Sequence, residues 1–203
     1  MKIAPLPDED EKFTSHLGGK LSARDSTRAD GWHVSGVIAD LMRVGGLGEF
    51  KSGRITQPVD ILRVYSGYIW EDMVGDYLSK QHVGENSPHT LTQLQVVRDG
   101  IHGTVDALVW GEGANGEVRI EEYKATWKGE ERALSDGWRW WTQIKSYMAC
   151  TGVRKAWLRV LYMCPTPRIR NYELGFSQGE IDECWAMVRQ HKDYMEGKGK
   201  ELK

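Results

Sequence analysis

The chain has 203 residues, of which 40% are hydrophobic and 28% charged, a balance typical of one globular domain with a modest extension and not of a disordered chain. No stretch approaches the roughly 20 consecutive apolar residues that span a bilayer, and the polar N-terminus lacks an apolar signal-peptide core. Three widely spaced cysteines disfavour both a disulfide framework and a four-cysteine metal site, so we expect a cytoplasmic protein without membrane contact.

The net charge of −2 argues on its own against a strongly basic nucleic-acid-binding protein, but the charges are unevenly distributed. Between Gly137 and Tyr172 there is no Asp or Glu, whereas seven Lys and Arg residues fall in the same stretch. The sequence therefore predicts one basic face, with the acidic groups concentrated elsewhere.

Residues 1–57 are predicted to form a polar arm and one short helix that pack on a core made by residues 58–203. The hydroxyl of Ser35 can cap this helix, because it can accept a hydrogen bond from a free N–H of the first turn. Gly45 and Gly46 are expected to end it.

A second helix is predicted from just after Pro58 to about Ser79, because apolar residues recur there at helical spacing. Short segments rich in β-branched residues then predict strands, and the turn Gly111–Glu117 joins two of them as an antiparallel pair. Ser135 or Asp136 can cap a third helix. The predicted strands are 91–97, 103–110, 118–125, 156–163 and an edge strand 169–176; the third helix ends near Gly152 and a last one covers 177–195. This order predicts an α/β protein (an α+β mixed sheet), with a central mixed β-sheet flanked by helices.

Polar residues interrupt two neighbouring strands that are otherwise largely apolar. Period-2 alternation places Glu122 and Lys124 on the same face as Val118 and Ile120, and Asp106 interrupts the preceding strand. Burying a carboxylate is costly unless a cation compensates it. One interpretation is a structural ion pair that joins Lys124 to Asp106 or Glu122. The other is a site in which two carboxylates hold Mg²⁺, which prefers oxygen ligands.

The ordered motifs resemble the PD-(D/E)XK nuclease superfamily, and most closely its RecB-like and phage lambda exonuclease-like branches. They are Gly103-Thr104-Val105-Asp106, then Glu122-Tyr123-Lys124, then Gln143-Ile144-Lys145-Ser146-Tyr147 on the following helix. Each motif alone occurs by chance in many chains, whereas their order and spacing together are fairly specific. The likeness covers about residues 58–163 and implies a restriction-endonuclease-like core.

The resemblance also implies the metal chemistry of the site. Asp106, Glu122 and the backbone carbonyl of Tyr123 would bind Mg²⁺ or Mn²⁺, and Lys124 would position the attacking water and stabilise the transition state. An iron–sulfur cluster is not expected, because members that bind one need four cysteines and this chain has three in unsuitable places.

Glu71 resembles the glutamate on the family's first helix and would complete the metal site directly or through water. Its rival is Asp72, which points about 100° away by helix geometry. Gly67 and Gly75 lie one turn either side of Glu71, which predicts room for a sheet or ligand to approach.

Gln143 and Tyr147 lie at i,i+4 and so project from one helix face, where the family likeness favours contact with DNA over plain packing. Trp140 and Trp141 are expected to pack in the core. His102 is left open between a structural and a functional role. The predicted DNA-binding residues are Gln143, Tyr147, Arg139, Lys128 and Lys145.

The resemblance therefore implies a metal-dependent DNA nuclease, an exonuclease or DNA-end-processing enzyme of recombination or repair, and makes a phage-encoded enzyme a candidate. Its expected partner is DNA with linear ends, and a homo-oligomer or a recombination partner protein is a further candidate. The alternatives are a catalytically silent DNA-binding module with the same fold and an interaction protein with a structural ion-pair network. The intact Asp106, Glu122 and Lys124 argue against the silent module, because clustered carboxylates repel phosphate.

Overall fold

The computed structural model describes residues 30–45, 58–81, 90–111 and 117–201, so most of the predicted arm and the centre of the predicted Gly111–Glu117 turn lie outside the described residues. In the described parts, six strands form one sheet: β1 (Trp32–His33), β2 (Thr90–Arg98), β3 (Ile101–Trp110), β4 (Val118–Thr126), β5 (Lys155–Tyr162) and β6 (Arg168–Gly175). The described helices are α1 (Val34–Val44), α2 (Pro58–Gln81), α3 (Glu130–Ser135), α4 (Trp138–Thr151) and α5 (Gln178–Glu201). The predicted mixed sheet flanked by helices is confirmed.

Strand β3 organises the sheet. β2 pairs antiparallel with it along one edge, from Ile101 to Val109, so β1 and β4 must share the other edge. The sheet then continues from β4 through a parallel pairing to β5 and an antiparallel pairing to β6. β6 is therefore the edge strand that the sequence predicts.

Strands β3 and β4 are hydrogen-bonded to each other along only part of their length. They pair from Trp110↔Val118 to Ala107↔Glu121, and beyond that point β4 continues beside β5 as far as Thr126. β3 meanwhile runs back to its short parallel pairing with β1. The two strands thus enclose a fork, which we define by residues 103–106 of β3 and 122–126 of β4.

Two hydrophobic clusters cover opposite faces of the sheet. The larger one joins β3, β4 and β5 to α1, α4 and α5, and Trp140 and Trp141 pack against it as predicted. The smaller one lies under α2, where Trp70 and Val74 pack against Tyr123 and two residues of β3. None of the described helices combines the length and the hydropathy needed to cross a bilayer.

The alternation of β3 slips by one residue at Asp106. Val105 and Leu108 both belong to the larger cluster, although a spacing of three would put them on opposite faces of a regular strand. The residue opposite Asp106 on β2 is Gln93, whose φ of +52° is left-handed. A local change in the backbone therefore coincides with the fork.

The predicted Ser35 cap is wrong. α1 begins at Val34, and its N-cap residue is His33, whose backbone is still extended. The cause is the pairing of β1 with β3, because the chain passes directly from that short strand into the helix. Gly45 ends α1 as predicted, whereas Gly46 lies outside the described residues.

The predicted caps of the third helix are wrong as well. The N-cap residue of α4 is Gly137. Ser135 is the last residue of the short helix α3 and Asp136 is its C-cap residue, so neither of them is available to cap α4. The carboxylate of Asp136 instead accepts a hydrogen bond from Lys128 at 2.9 Å. The other end of α4 is as predicted, with Gly152 in the left-handed region at φ +75°.

The buried carboxylate of Glu121 is neutralised by neighbouring basic side chains. It is fully buried and accepts hydrogen bonds from Arg159 at 2.6 and 3.1 Å and from Arg119 at 2.9 Å. The hydroxyl of Tyr123 donates to it at 3.4 Å, so Glu121 belongs to the face that α2 covers. Its negative charge is balanced by two guanidinium groups, which marks it as a structural ion pair.

Removing this carboxylate should cost stability. We expect Glu121→Ala to lower the free energy of unfolding by about 3–5 kcal/mol, because Arg159 would remain largely buried without its partner. The matched change Glu117→Ala, at an exposed pair with Lys155, should cost less than about 1 kcal/mol. Urea denaturation followed by circular dichroism measures both values, and equal costs would contradict the structural role of Glu121.

Candidate active site

A cavity of about 270 Å³ opens at the fork between β3 and β4. Its walls come from the start of α1, from α2 and α4, and from strands β2, β3 and β4. Most of the residues predicted to be functional contribute to this cavity. Those that line it are Glu71, Asp106, Lys124, Arg139, Gln143 and Tyr147.

Asp106 holds the fork open. Its carboxylate accepts a hydrogen bond from the backbone N–H of Tyr123 at 2.8 Å, in the place where the next ladder pair between β3 and β4 would form. The N–H and C=O of one strand residue point toward the same edge, so the carbonyl of Tyr123 also faces the fork. The side chain of Tyr123 is buried under α2 on the other face, so only its backbone is available here.

Glu122 is fully buried, and its two carboxylate oxygens differ. Oε1 accepts a hydrogen bond from the ammonium group of Lys124, whereas Oε2 is buried without a hydrogen-bond partner among the described residues. Burial raises the pKa of Glu122 to about 8, with Asp106 and Glu71 acting in the same direction and Lys124 opposing them. A buried acceptor without a partner costs free energy, so this oxygen indicates a missing cation or donor.

Lys124 carries the nearest positive charge to this carboxylate. Its side chain is 20% exposed and lines the cavity. Burial lowers the pKa of Lys124, but Glu122 and Asp106 outweigh that effect and hold its pKa above the usual value. Lys124 is therefore a protonated donor at neutral pH.

The structure places Glu71 and its rival Asp72 differently. Glu71 is half-buried and lines the cavity, and its charge acts on Glu122, whereas Asp72 is exposed outside the lining. The described part of the sheet does not make the predicted close approach at Gly67 or Gly75. Apart from the helix's own backbone and the chain neighbours of each glycine, no atom of the described residues lies within 4 Å of a Cβ built at either position. Room for a ligand there stays a prediction.

Helix α4 supplies the wall that faces Asp106. Gln143 donates a hydrogen bond through Nε2 to the hydroxyl of Tyr147 at 2.8 Å, as their i,i+4 spacing allows. The ring of Tyr147 is buried against Gly103, where a Cβ would stand 2.8 Å from a ring carbon. Gly103 therefore sets how closely α4 approaches β3.

The predicted basic residues do not converge on one face. Arg139 lines the cavity, and burial lowers its pKa, while Tyr147 and Glu122 act in the opposite direction. Lys128 instead pairs with Asp136, and Lys145 lies 5.5 Å from the ring centre of Phe176, so neither lines the cavity.

Carboxylates from other elements bind most of the basic stretch 137–172. Lys155 pairs with Glu117, Arg159 with Glu121, and both Arg168 and Arg170 with Glu130. Four of the seven basic residues in this stretch are therefore paired with three carboxylates within the fold. Among the described residues, the Lys and Arg side chains that line the cavity are Lys124 and Arg139.

Several lining residues are not among those predicted to be functional, and the role of His102 was left open. His102 lines the cavity beside His33, with ring centroids 5.7 Å apart. Gln93 and Gln95 alternate along β2, so a polar face on that strand was the signal that could have identified them. The lining residues that were not predicted include His33, Ser35, Tyr68, Gln93, Gln95 and Thr104.

The donors suit a hard divalent cation but do not form a closed cage. In the described parts of the chain, no group of three or more His, Cys, Asp or Glu side chains is placed to hold a metal ion. Two carboxylates and one backbone carbonyl nevertheless meet at the fork, beside the unsatisfied oxygen of Glu122. Mg²⁺ keeps several water ligands and is commonly held by one or two carboxylates, so this set fits it.

Solved structures share this fold. The protein SSO0001 matches at 18% identity with a TM-score of 0.55, over 87% of this chain and 85% of that one. LHK-Exo, an alkaline exonuclease from Laribacter hongkongensis solved in complex with dAMP, matches at 16% identity with a TM-score of 0.54, over 95% of both chains. No family model and no curated protein matches the sequence. The chain therefore shares the fold of an exonuclease, which is consistent with the PD-(D/E)XK nuclease-like fold that its motifs predict.

The charge of Glu122 should make the metal-free protein less stable as pH rises. The folded pKa is about 8 against an ordinary value of 4.5, so the folded state binds the extra proton between these values. The contribution of this group to stability is therefore full below pH 4.5 and is lost as pH rises through about 8. We expect the thermal midpoint of the wild type in EDTA to fall across this range relative to Glu122→Gln. If the thermal midpoints of the two proteins change with pH in the same way, the raised pKa of Glu122 is contradicted.

Gly103 should not tolerate a side chain. Gly103→Ala forces the buried ring of Tyr147 to move, and we expect a loss of about 1–3 kcal/mol in the free energy of unfolding. Gly75→Ala is the matched control, because it fills open space within α2 and should gain up to about 1 kcal/mol. Chemical denaturation measures both changes, and a Gly103→Ala variant as stable as the wild type would refute the close approach.

Proposed function

We propose that this protein is a metal-dependent DNA nuclease that hydrolyses phosphodiester bonds and acts on linear ends as an exonuclease or end-processing enzyme. The observation that carries the proposal is the unsatisfied Oε2 of Glu122, which is fully buried beside Asp106 and Lys124 at the fork. The neighbouring Glu121 shows that this sheet can neutralise a buried carboxylate when the role is structural. Glu122 is paired with one basic side chain, whereas Glu121 is paired with two, and this difference supports a site at Glu122 that receives a cation.

Asp106, Glu122 and the carbonyl of Tyr123 would hold Mg²⁺ or Mn²⁺, with Glu71 completing the site directly or through water. When bound, such a cation lowers the pKa of a coordinated water and offsets charge that builds up on the phosphate. The hydrogen bond from the N–H of Tyr123 keeps the carboxylate of Asp106 oriented toward the fork.

Lys124 would act on the reacting phosphate. It is protonated at neutral pH and its side chain reaches the cavity, so its ammonium group can orient the attacking water and stabilise charge in the transition state. Arg139, Gln143 and Tyr147 line the same cavity and would contact phosphate and sugar, which is how most protein–DNA contacts fix register.

A structure that shares this fold and the state of the cysteines support the ligand and the cellular compartment that we propose. LHK-Exo, which shares the fold, was solved in complex with dAMP, and this supports a nucleotide ligand for the present cavity. The three cysteines are free, as suits a reducing cytoplasm. The motif resemblance favours recombination or repair, including phage-encoded recombination, with linear DNA as the substrate.

One observation favours the alternative of a catalytically silent DNA-binding module. The described residues contain no preformed cluster of three metal-ligating side chains. A silent module would bind DNA with the same cavity but would not cleave it with any divalent cation.

Lys124→Ala should abolish cleavage while most DNA binding remains. Loss of a donor to the transition state reduces kcat by roughly 10²–10³-fold, and the cavity keeps its other contacts. Lys155→Ala is the matched control, because it breaks another Lys–Glu pair, away from the fork, and should leave cleavage unchanged. Gel assays with radiolabelled duplex DNA measure activity, and retained cleavage by Lys124→Ala would refute the assigned role.

Assays with linear and circular DNA distinguish an exonuclease from an endonuclease and from a silent DNA-binding module. With Mg²⁺ or Mn²⁺ we expect degradation of linear DNA alone, and no loss in EDTA. Nicking of circles would replace the exonuclease with an endonuclease. A gel shift without metal-dependent loss of DNA would establish the silent binding module instead.

A further inference from the structure

Gln93 lies directly opposite Asp106 in the β2–β3 ladder. Thr92 pairs with Ala107 and Leu94 pairs with Val105, whereas the register of the described ladder skips the pair between Gln93 and Asp106. The interruption therefore falls at the carboxylate on which the proposed metal site depends.

The backbone of Gln93 adopts a conformation that its side chain disfavours. Its φ of +52° is left-handed, a region that residues other than Gly, Asn and Asp rarely enter. Asp99, which has a similar φ, precedes Gly100 in the tight turn between β2 and β3, where such values are ordinary. Gln93 lies inside a strand, so no turn requires its conformation. Strain of this kind persists where the surrounding structure enforces it, and it clusters at functional sites.

The side chain of Gln93 is exposed and lines the cavity together with Gln95. Gln95 donates through Nε2 to the hydroxyl of Thr104 at 2.9 Å, and Thr104 stands two residues before Asp106. β2 thus presents two amide side chains to the cavity that also contains Gln143 of α4.

An amide is the suitable chemistry for this position. A lysine or arginine opposite Asp106 would form an ion pair with it and compete with a divalent cation. A carboxylate there would add to the repulsion of phosphate. An amide offers a donor and an acceptor without charge, so it can bind phosphate or sugar oxygens beside the acidic pair.

We propose that Gln93 is a substrate-contacting residue whose left-handed backbone places its amide against the sugar–phosphate backbone of the bound strand. The inference rests on the proposed function and adds a contact from β2, a strand outside the motifs that suggested the nuclease. Its consequence is an opposition between stability and function at one residue, since the side chain that binds the strand also imposes the strain.

Three substitutions separate the side chain from the backbone. Gln93→Gly relieves the left-handed strain and removes the amide, Gln93→Ala keeps the strain and removes the amide, and Gln93→Asn keeps an amide on a residue that tolerates this φ. Gln190→Ala on α5 is the control, because Gln190 is exposed outside the cavity.

We expect Gln93→Gly to raise the thermal midpoint while KM for linear duplex DNA increases about tenfold, the effect of one lost hydrogen bond to a charged group. Gln93→Ala should show the same KM, Gln93→Asn should recover most of the wild-type value, and kcat should change less than KM in each. If the backbone conformation alone matters, Gln93→Ala keeps the wild-type KM, and that result overturns the inference.

Binding without cleavage distinguishes failure of this inference from failure of the proposed nuclease. The probe is a fluorescein-labelled oligonucleotide followed by anisotropy with Mg²⁺, and each protein also carries Lys124→Ala so that the DNA is bound without being cleaved. A Kd about tenfold weaker for Gln93→Ala and Gln93→Gly than for Lys124→Ala alone and Gln190→Ala supports the contact even if no DNA is cleaved. Equal Kd values overturn the contact even if the wild type is an active nuclease, and absence of binding with Mg²⁺ by the Lys124→Ala protein that keeps Gln93 overturns both.

Discussion

The carboxylate of Asp106 accepts a hydrogen bond from the backbone N–H of Tyr123, in the place where the ladder between β3 and β4 would otherwise continue. A side chain has thus replaced a backbone carbonyl as the acceptor, which satisfies the buried N–H while the two strands separate. The fork, the cavity and the direction of the Tyr123 carbonyl toward the fork all follow from this change of acceptor. A sheet that paired fully here would have closed over the same residues.

The electrostatics of the fork explain why the near-neutral total charge carried little information. Four of the seven basic residues in the stretch 137–172 pair with Glu117, Glu121 or Glu130. At the fork the balance is different, because burial and the charges of Asp106 and Glu71 together raise the pKa of Glu122. A divalent cation would reverse the local sign and make the cavity attractive to phosphate. The proposed function therefore depends on a local surplus of negative charge that the summed charge conceals.

The predictable features were those encoded by local periodicity. Alternation along β4 separated Glu122 from Glu121, and the structure places them on opposite faces, one beside Lys124 and the other between two arginines. The i,i+4 spacing likewise placed Gln143 and Tyr147 together. The features that the sequence did not predict depend on partners that are distant in sequence. β1 forms only by pairing with β3, and the register of β2 against β3 places Gln93 opposite Asp106. The failed caps have the same cause, because neighbouring elements, not capping side chains, fixed where α1 and α4 begin.

The most direct test of the central claim, that the acidic pair at the fork is a cation site, is anomalous diffraction from crystals soaked in Mn²⁺. We expect an anomalous peak between the carboxylates of Asp106 and Glu122, within bonding distance of both, and its loss in crystals of Asp106→Asn. A fork without Mn²⁺, with Lys124 still bound to Glu122 in the presence of the metal, would contradict the claim and leave the carboxylates as a structural ion pair.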